Sequence, residues 1–167
     1  MTLEQLNALP EAEARTQFER CCGSRAWVEA MIGARPFADR AALDAASARA
    51  AAALTRDDWL EAFAHHPRIG GAAELRFAAT RAWAESEQAG AAQATEEVLT
   101  ALAEGNRAYE ARFGYVFIVC ATGKSAEEML ALLEARLANP PEREWRIASE
   151  EQMKITRLRL DKLMSGS

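Results

Sequence analysis

An all-α fold follows from three features of the sequence. The chain of 167 residues holds 38 alanines but only nine valines and isoleucines together, so strong helix formers abound and β-branched strand formers are scarce. Capping residues stand just ahead of apolar residues at helical spacing, at Thr2, Ser24, Asp39, Thr55 and Ser125. One stretch alone, Tyr115 to Ala121, has strand composition, and a lone strand has no neighbour to take its backbone hydrogen bonds. The expected architecture is a single-domain bundle of about eight or nine helices over residues 1–167, with one short, largely buried extended connector.

Each element has a local cause. Thr2 and Gln5 have the capping-box spacing and open a short helix to about Ala8. Pro10 sits where a second helix begins without wasting an N–H, and Gly23 offers a stop after Cys21. Ser24 caps a third helix carrying Trp27, Met31 and Ile32, and Pro36 ends that segment. Asp39 caps an alanine-rich helix to about Leu54, whose small side chains allow close helix packing. Thr55 with Asp58 starts a turn through Trp59, Leu60 and Phe63. The pattern breaks at His65-His66-Pro67-Arg68-Ile69-Gly70-Gly71, because the residue before a proline is pushed out of the helical region. Leu75, Ala79 and Trp83 restore helical spacing, Ala89-Gly90 breaks it, and a long helix runs from about Thr95 to Phe113, closed by Gly114. Ser125-Ala126-Glu127-Glu128 is a further capping box, opening a helix that ends at Asn139-Pro140. The last helix, Glu142 to about Met164, is expected to turn Ala148, Ile155 and Leu158 inward.

Composition narrows the function. A chain of this length buries roughly 68–70% of its unfolded surface and needs no metal or disulfide to complete its core. A net charge of −5 and a pI near 5.2 lack the basic stripe that attracts a phosphate backbone, so nucleic acid is not an expected partner. The three cysteines, two of them adjacent at Cys21 and Cys22, form no metal-ligand spacing and no disulfide framework, and are expected to be reduced thiols in a cytoplasmic protein. The acidic start lacks a secretory n-region, and Tyr115 to Ala121 falls far short of the roughly 20 apolar residues that span a bilayer. No membrane association is expected.

Few segments carry chemistry, and each has a plainer alternative. The two histidines are neighbours in a loop and project in different directions, so joint metal ligation is poor geometry and no metal is expected. Either one, braced by glycine and proline, suits a general acid or base near neutral pH, although a solvated loop histidine is the commoner outcome. Glu85 and Glu87 supply carboxylates that could partner His66, or simply a solvated helix end. Thr122-Gly123-Lys124-Ser125 invites a phosphate-loop reading, but the first glycine of that pattern would fall at Ile118, so Gly123 and Ser125 read instead as the start of a helix. Arg157 and Arg159 point roughly 200° apart on an α-helix, so at most one faces a pocket.

Four blocks, taken in order, resemble one family: His66-Pro67-Arg68-Ile69-Gly70; Glu87-Gln88-Ala89-Gly90; Phe113-Gly114-Tyr115-Val116-Phe117-Ile118-Val119-Cys120-Ala121-Thr122-Gly123-Lys124-Ser125; and Lys154-Ile155-Thr156-Arg157-Leu158-Arg159-Leu160-Asp161-Lys162-Leu163. The chain is similar along its whole length to the 2-oxo-4-hydroxy-4-carboxy-5-ureidoimidazoline (OHCU) decarboxylases of urate degradation. The resemblance implies an all-helical, cofactor-free carboxy-lyase that turns this small-molecule ureidoimidazoline into (S)-allantoin and CO2, and it suggests a homodimer. It places the catalytic histidine at His66 and the catalytic glutamate at Glu87. It gives substrate contacts to Pro67, to the turn Ala84, Glu85, Ser86, Glu87 and Gln88, to the connector Phe117, Ile118, Val119, Cys120 and Ala121 through its backbone, and to Arg159. Many members carry serine where this chain has Ala84, so one hydroxyl contact is missing or comes from Ser86.

The chemistry implied fits these residue types. Loss of carboxylate from the hydroxyl-bearing carbon leaves an electron pair that the adjacent C=N accepts, so no organic electron sink is required. Two titratable groups suffice, one for the hydroxyl proton and one to protonate carbon on a single face. Two other classes stay open on the sequence: a non-catalytic helical ligand-binding or interaction module on the same scaffold, and a hydrolase of a related ureido compound.

Overall fold

A computed structural model describes residues 1–66 and 96–165, and among them all regular structure is helical. The helices are α1 (Leu3–Ala8), α2 (Glu11–Cys21), α3 (Arg25–Gly33), α4 (Arg40–Ala52), α5 (Arg56–Ala64), α6 (Glu96–Phe113), α7 (Ala126–Leu137) and α8 (Pro141–Ser165). The expected helix around Leu75, Ala79 and Trp83, and the break at Ala89-Gly90, lie outside the described residues. The chain divides into two units, Met1–His66 with Ser149–Ser167, and Pro67–Ala148.

In the first unit the helix starts form as the sequence dictates. Thr2 with Gln5 and Thr55 with Asp58 make reciprocal capping boxes. Ser24 accepts from the Trp27 amide and Asp39 from the Ala42 amide. Each cap satisfies an amide that the helix itself leaves without a partner. Phe18 of α2 stands edge-on to Trp27 at 6.0 Å and to Phe37 at 6.4 Å between ring centroids, the arrangement that brings positive ring edges to negative faces. Leu6, Met31, Leu43 and Leu160 close around them. Helix α4 buries Ala46, Ala50 and Ala51, and its Ser47 carbonyl accepts from the Trp27 indole at 3.3 Å. Polar side chains finish the joins: Arg35 donates to the carbonyls of Leu6 and Leu9, and Asn7 exchanges two hydrogen bonds with the Phe37 backbone.

In the second unit α6 packs along α7. Gly114 closes α6 at φ 82°, a left-handed position that glycine adopts without strain. The Ser125–Glu128 capping box opens α7. Between them Tyr115 to Ala121 runs without helix or ladder, with Tyr115, Ile118 and Cys120 buried.

Helix α8 corrects one expectation. Its fully buried row is Glu144, Ala148, Gln152, Thr156 and Leu160, whereas Ile155 and Leu158 are only half-buried. The four-residue spacing is helical, and three members of the row, Glu144, Gln152 and Thr156, are polar side chains held by hydrogen bonds, so a hydrophobicity reading finds Ala148 but misses those three.

Candidate active site

Helix α5 delivers His65 and His66 at its C-terminal end. The His65 amide donates to Ala62 and the His66 amide to Phe63, so the last turn tightens and ends there. His65 is exposed and its Nδ1 donates to the Glu61 carbonyl at 3.0 Å. Its ring lies against Gly23: a Cβ at that position would fall 2.2 Å from His65 Cγ. His66 is half-buried, with Nε2 2.5 Å from Gln152 Oε1. Burial holds its imidazole below the ordinary histidine value, against the opposing pull of the Gln152 hydrogen bond, and the charge of Arg159 lowers it further. His66 is therefore neutral at pH 7 and able to accept a proton.

Arg159, on α8, is half-buried with Nη1 3.5 Å from the Cys21 carbonyl, whereas Arg157 is exposed. The two arginines separate as the helical geometry requires. Arg159 borders an open cleft of about 370 Å³ whose lining includes Gln17, Arg20 and Lys162 and, among the described residues, no carboxylate, an environment suited to an anionic or carbonyl-rich ligand. Cys21, also on its wall, has its thiol pushed up to about 11 by burial, and burial raises Cys22 likewise. All three cysteines are buried and outside any disulfide.

The connector is held by side chains instead of a partner strand. Arg136 of α7, buried, donates from Nη1 to the Ile118 carbonyl at 2.6 Å and from Nε to Glu144 at 2.7 Å. Tyr109 hydrogen-bonds Glu144, whose second oxygen accepts from Asn139. The Arg136 guanidinium also lies 4.5 Å from the centroid of the Phe117 ring. Lys124 donates from Nζ to the Cys120 carbonyl at 2.8 Å, so the lysine that hinted at a phosphate loop is engaged with the backbone. A trans peptide points its N–H opposite to its C=O. With the Ile118 carbonyl turned to Arg136, the Val119 amide is directed to the other side.

His66 and Arg159 thus belong to the first unit, and Phe117, Ile118, Val119, Cys120 and Ala121 to the second. Pro67, Ala84, Glu85, Ser86, Glu87 and Gln88 lie outside the described residues. Four residues with a part in holding these elements went unnoticed in the sequence: Gln152, Thr156, Arg136 and Glu144. Three of them leave one signal, the polar residues Glu144, Gln152 and Thr156 on one four-residue helical row with Ala148 between them. Among the described residues no group of three or more His, Cys, Asp or Glu side chains is placed to hold a metal ion, and no helix is long and apolar enough to cross a membrane.

Comparison with known proteins agrees with these features. The family model described as OHCU decarboxylase matches residues 7–161. The 2-oxo-4-hydroxy-4-carboxy-5-ureidoimidazoline decarboxylase of Amia calva is 32% identical over 98% of this chain and 95% of its own length. The uric acid degradation bifunctional protein TTL of Arabidopsis thaliana is 36% identical over 89% of this chain, which spans 47% of that longer protein. A crystal structure of OHCU decarboxylase in the presence of (S)-allantoin superposes with a TM-score of 0.72 at 35% identity, covering 89% of this chain and 97% of that one. With its family match, its helical fold and its long reciprocal overlap with the Amia calva protein, the chain belongs to the OHCU decarboxylase family.

Proposed function

We propose that this chain, acting as one catalytic domain, decarboxylates 2-oxo-4-hydroxy-4-carboxy-5-ureidoimidazoline to (S)-allantoin and CO2, with His66 and Glu87 as its proton-handling pair. The observation that carries this is His66 itself: a half-buried imidazole, neutral at pH 7, tethered to a buried glutamine and set in the field of Arg159. The C–C bond to the carboxylate breaks and its electron pair passes through the ring to the C=N nitrogen. That nitrogen takes up a proton from solvent, and the resulting enol-like intermediate loses its hydroxyl proton as the carbonyl forms and gains a proton on the carbon bearing the ureido group. His66 and Glu87 divide those two transfers, with His66 delivering the proton to carbon after taking one up. An arginine gripping the departing carboxylate would stabilise the ground state, since only interactions stronger in the transition state accelerate a reaction. Arg159 and the connector amides accordingly hold the ring carbonyl or the ureido group. The family resemblance also supports a homodimer, which size-exclusion chromatography of the native mass tests, and the cysteine pattern without a disulfide framework supports a cytoplasmic location.

The experiment is a CO2-release assay on substrate made in place. CO2 should appear in step with substrate loss in the wild type and in His65→Gln, and fall to background in His66→Gln with helicity by circular dichroism unchanged. Arg159→Ala should raise KM or lower kcat. Substrate loss without CO2 would favour the hydrolase reading, and equal losses from both histidine variants would mean that the loop rather than one imidazole is at work.

A further inference from the structure

Gln152 and Thr156 are fully buried one turn apart on α8, where amide and hydroxyl groups are costly unless hydrogen-bonded. Both are satisfied in a chain that ends on His66. Gln152 Nε2 donates to the Thr156 hydroxyl, 3.2 Å away, and in this orientation of the amide Gln152 Oε1 faces His66. An amide oxygen only accepts. The proton of neutral His66 therefore sits on Nε2, and the lone pair available for chemistry is on Nδ1. The neighbouring ring is fixed the other way, because His65 Nδ1 faces the Glu61 carbonyl and must carry the proton. Two adjacent histidines are thus locked in opposite tautomers by partners on different elements.

We propose that Gln152 is a positioning residue for catalysis: backed by Thr156, it locks His66 in the Nε2–H tautomer and leaves Nδ1 as the nitrogen that exchanges a proton with the substrate. This rests on the reading of His66 as catalytic. A glutamine suits the task better than a carboxylate where the ring must stay neutral, since a negative partner would favour the imidazolium. Glu87 is then free to hold the second proton, and the pair keeps distinct roles.

The test uses the two-histidine composition of the chain. In tag-free, 15N-labelled His65→Gln protein the single remaining imidazole is His66, and a long-range 1H–15N correlation spectrum at pH 7.5 reads its tautomer directly. The expected spectrum has a protonated Nε2 and an unprotonated Nδ1. Gln152→Met should abolish that preference and lower kcat about 10- to 100-fold with KM changed far less. Gln152→Glu, which keeps the acceptor, should restore the tautomer and raise the pH at which His66 titrates. An Nδ1–H spectrum in the parent protein overturns the proposal, as does a Gln152→Met protein that keeps both spectrum and kcat. Should Gln152→Met not fold, the parent spectrum and Gln152→Glu still decide. Failure of the underlying reading looks different: full turnover in His66→Gln would remove the catalytic role, and with it the positioning role, whatever the spectrum shows.

Discussion

Gly23 shows how a residue with no side chain governs the histidine pair. Its Cα occupies the space against which the His65 ring packs, and a methyl group there would meet His65 Cγ, Nδ1 and Cβ all within 2.5 Å. Gly23→Ala must displace that ring, break its hydrogen bond to Glu61 and shift the turn carrying His66. We expect it to destabilise the fold by about 1–3 kcal/mol in urea denaturation, the usual range for overpacking, and to lower turnover although Gly23 touches no substrate. Removal of the His65 ring relieves the clash, so the double variant Gly23→Ala/His65→Gln should recover activity. A Gly23→Ala enzyme with wild-type turnover would show that the position of His65 does not matter. His66 stood out in the sequence only through the family resemblance, because a histidine before proline in a break between helices is by itself more often a solvated loop residue. Gln152 did not, because its partner lies 86 residues away and a lone glutamine in a charged helix reads as surface.

At the scale of elements, capping explains what was legible. Thr2, Ser24, Asp39, Thr55 and Ser125 all accept from an amide three residues on, an interaction that sequence spacing alone specifies. The connector also followed from local reasoning, since a single strand-like segment needs some other source of hydrogen bonds. What supplies them did not, because Arg136 reaches Ile118 across 18 residues and pairs with Glu144 inside the second unit. That pair is costly to break. Arg136→Met leaves Glu144 buried without its cation and should destabilise the protein by about 3–5 kcal/mol. Measured by urea unfolding, a loss under about 1 kcal/mol, the size of an exposed pair, would mean that Glu144 finds compensation elsewhere. Any folded fraction should bind substrate more weakly, because the Ile118–Val119 peptide loses the contact that orients it.

For the whole molecule, protonation links the site to stability. The folded state holds His66 below its ordinary value, so the unfolded chain binds this proton more readily. The contribution is fully present above about pH 6.5 and is lost as the pH falls from there through the folded value. The acid limb of kcat/KM should therefore lie below pH 6.5, and the loss of stability on acidification should be smaller in His66→Gln than in the wild type. A limb above pH 7 would contradict a buried, neutral imidazole. Burial acts in the opposite sense on Cys21 and Cys22, keeping both as thiols, so native protein at pH 8 should resist alkylation until denaturant exposes them. The same burial explains why adjacent cysteines serve here as small apolar groups of the core.

The central claim is that this chain protonates one face of a decarboxylation intermediate. The direct measurement generates the substrate from urate with uricase and hydroxyisourate hydrolase, adds the protein, and follows the optical activity of the allantoin formed. The uncatalysed reaction yields a racemate. Rapid accumulation of the (S) enantiomer, lost in His66→Gln, is the predicted result, and a racemate formed at the background rate would contradict the account.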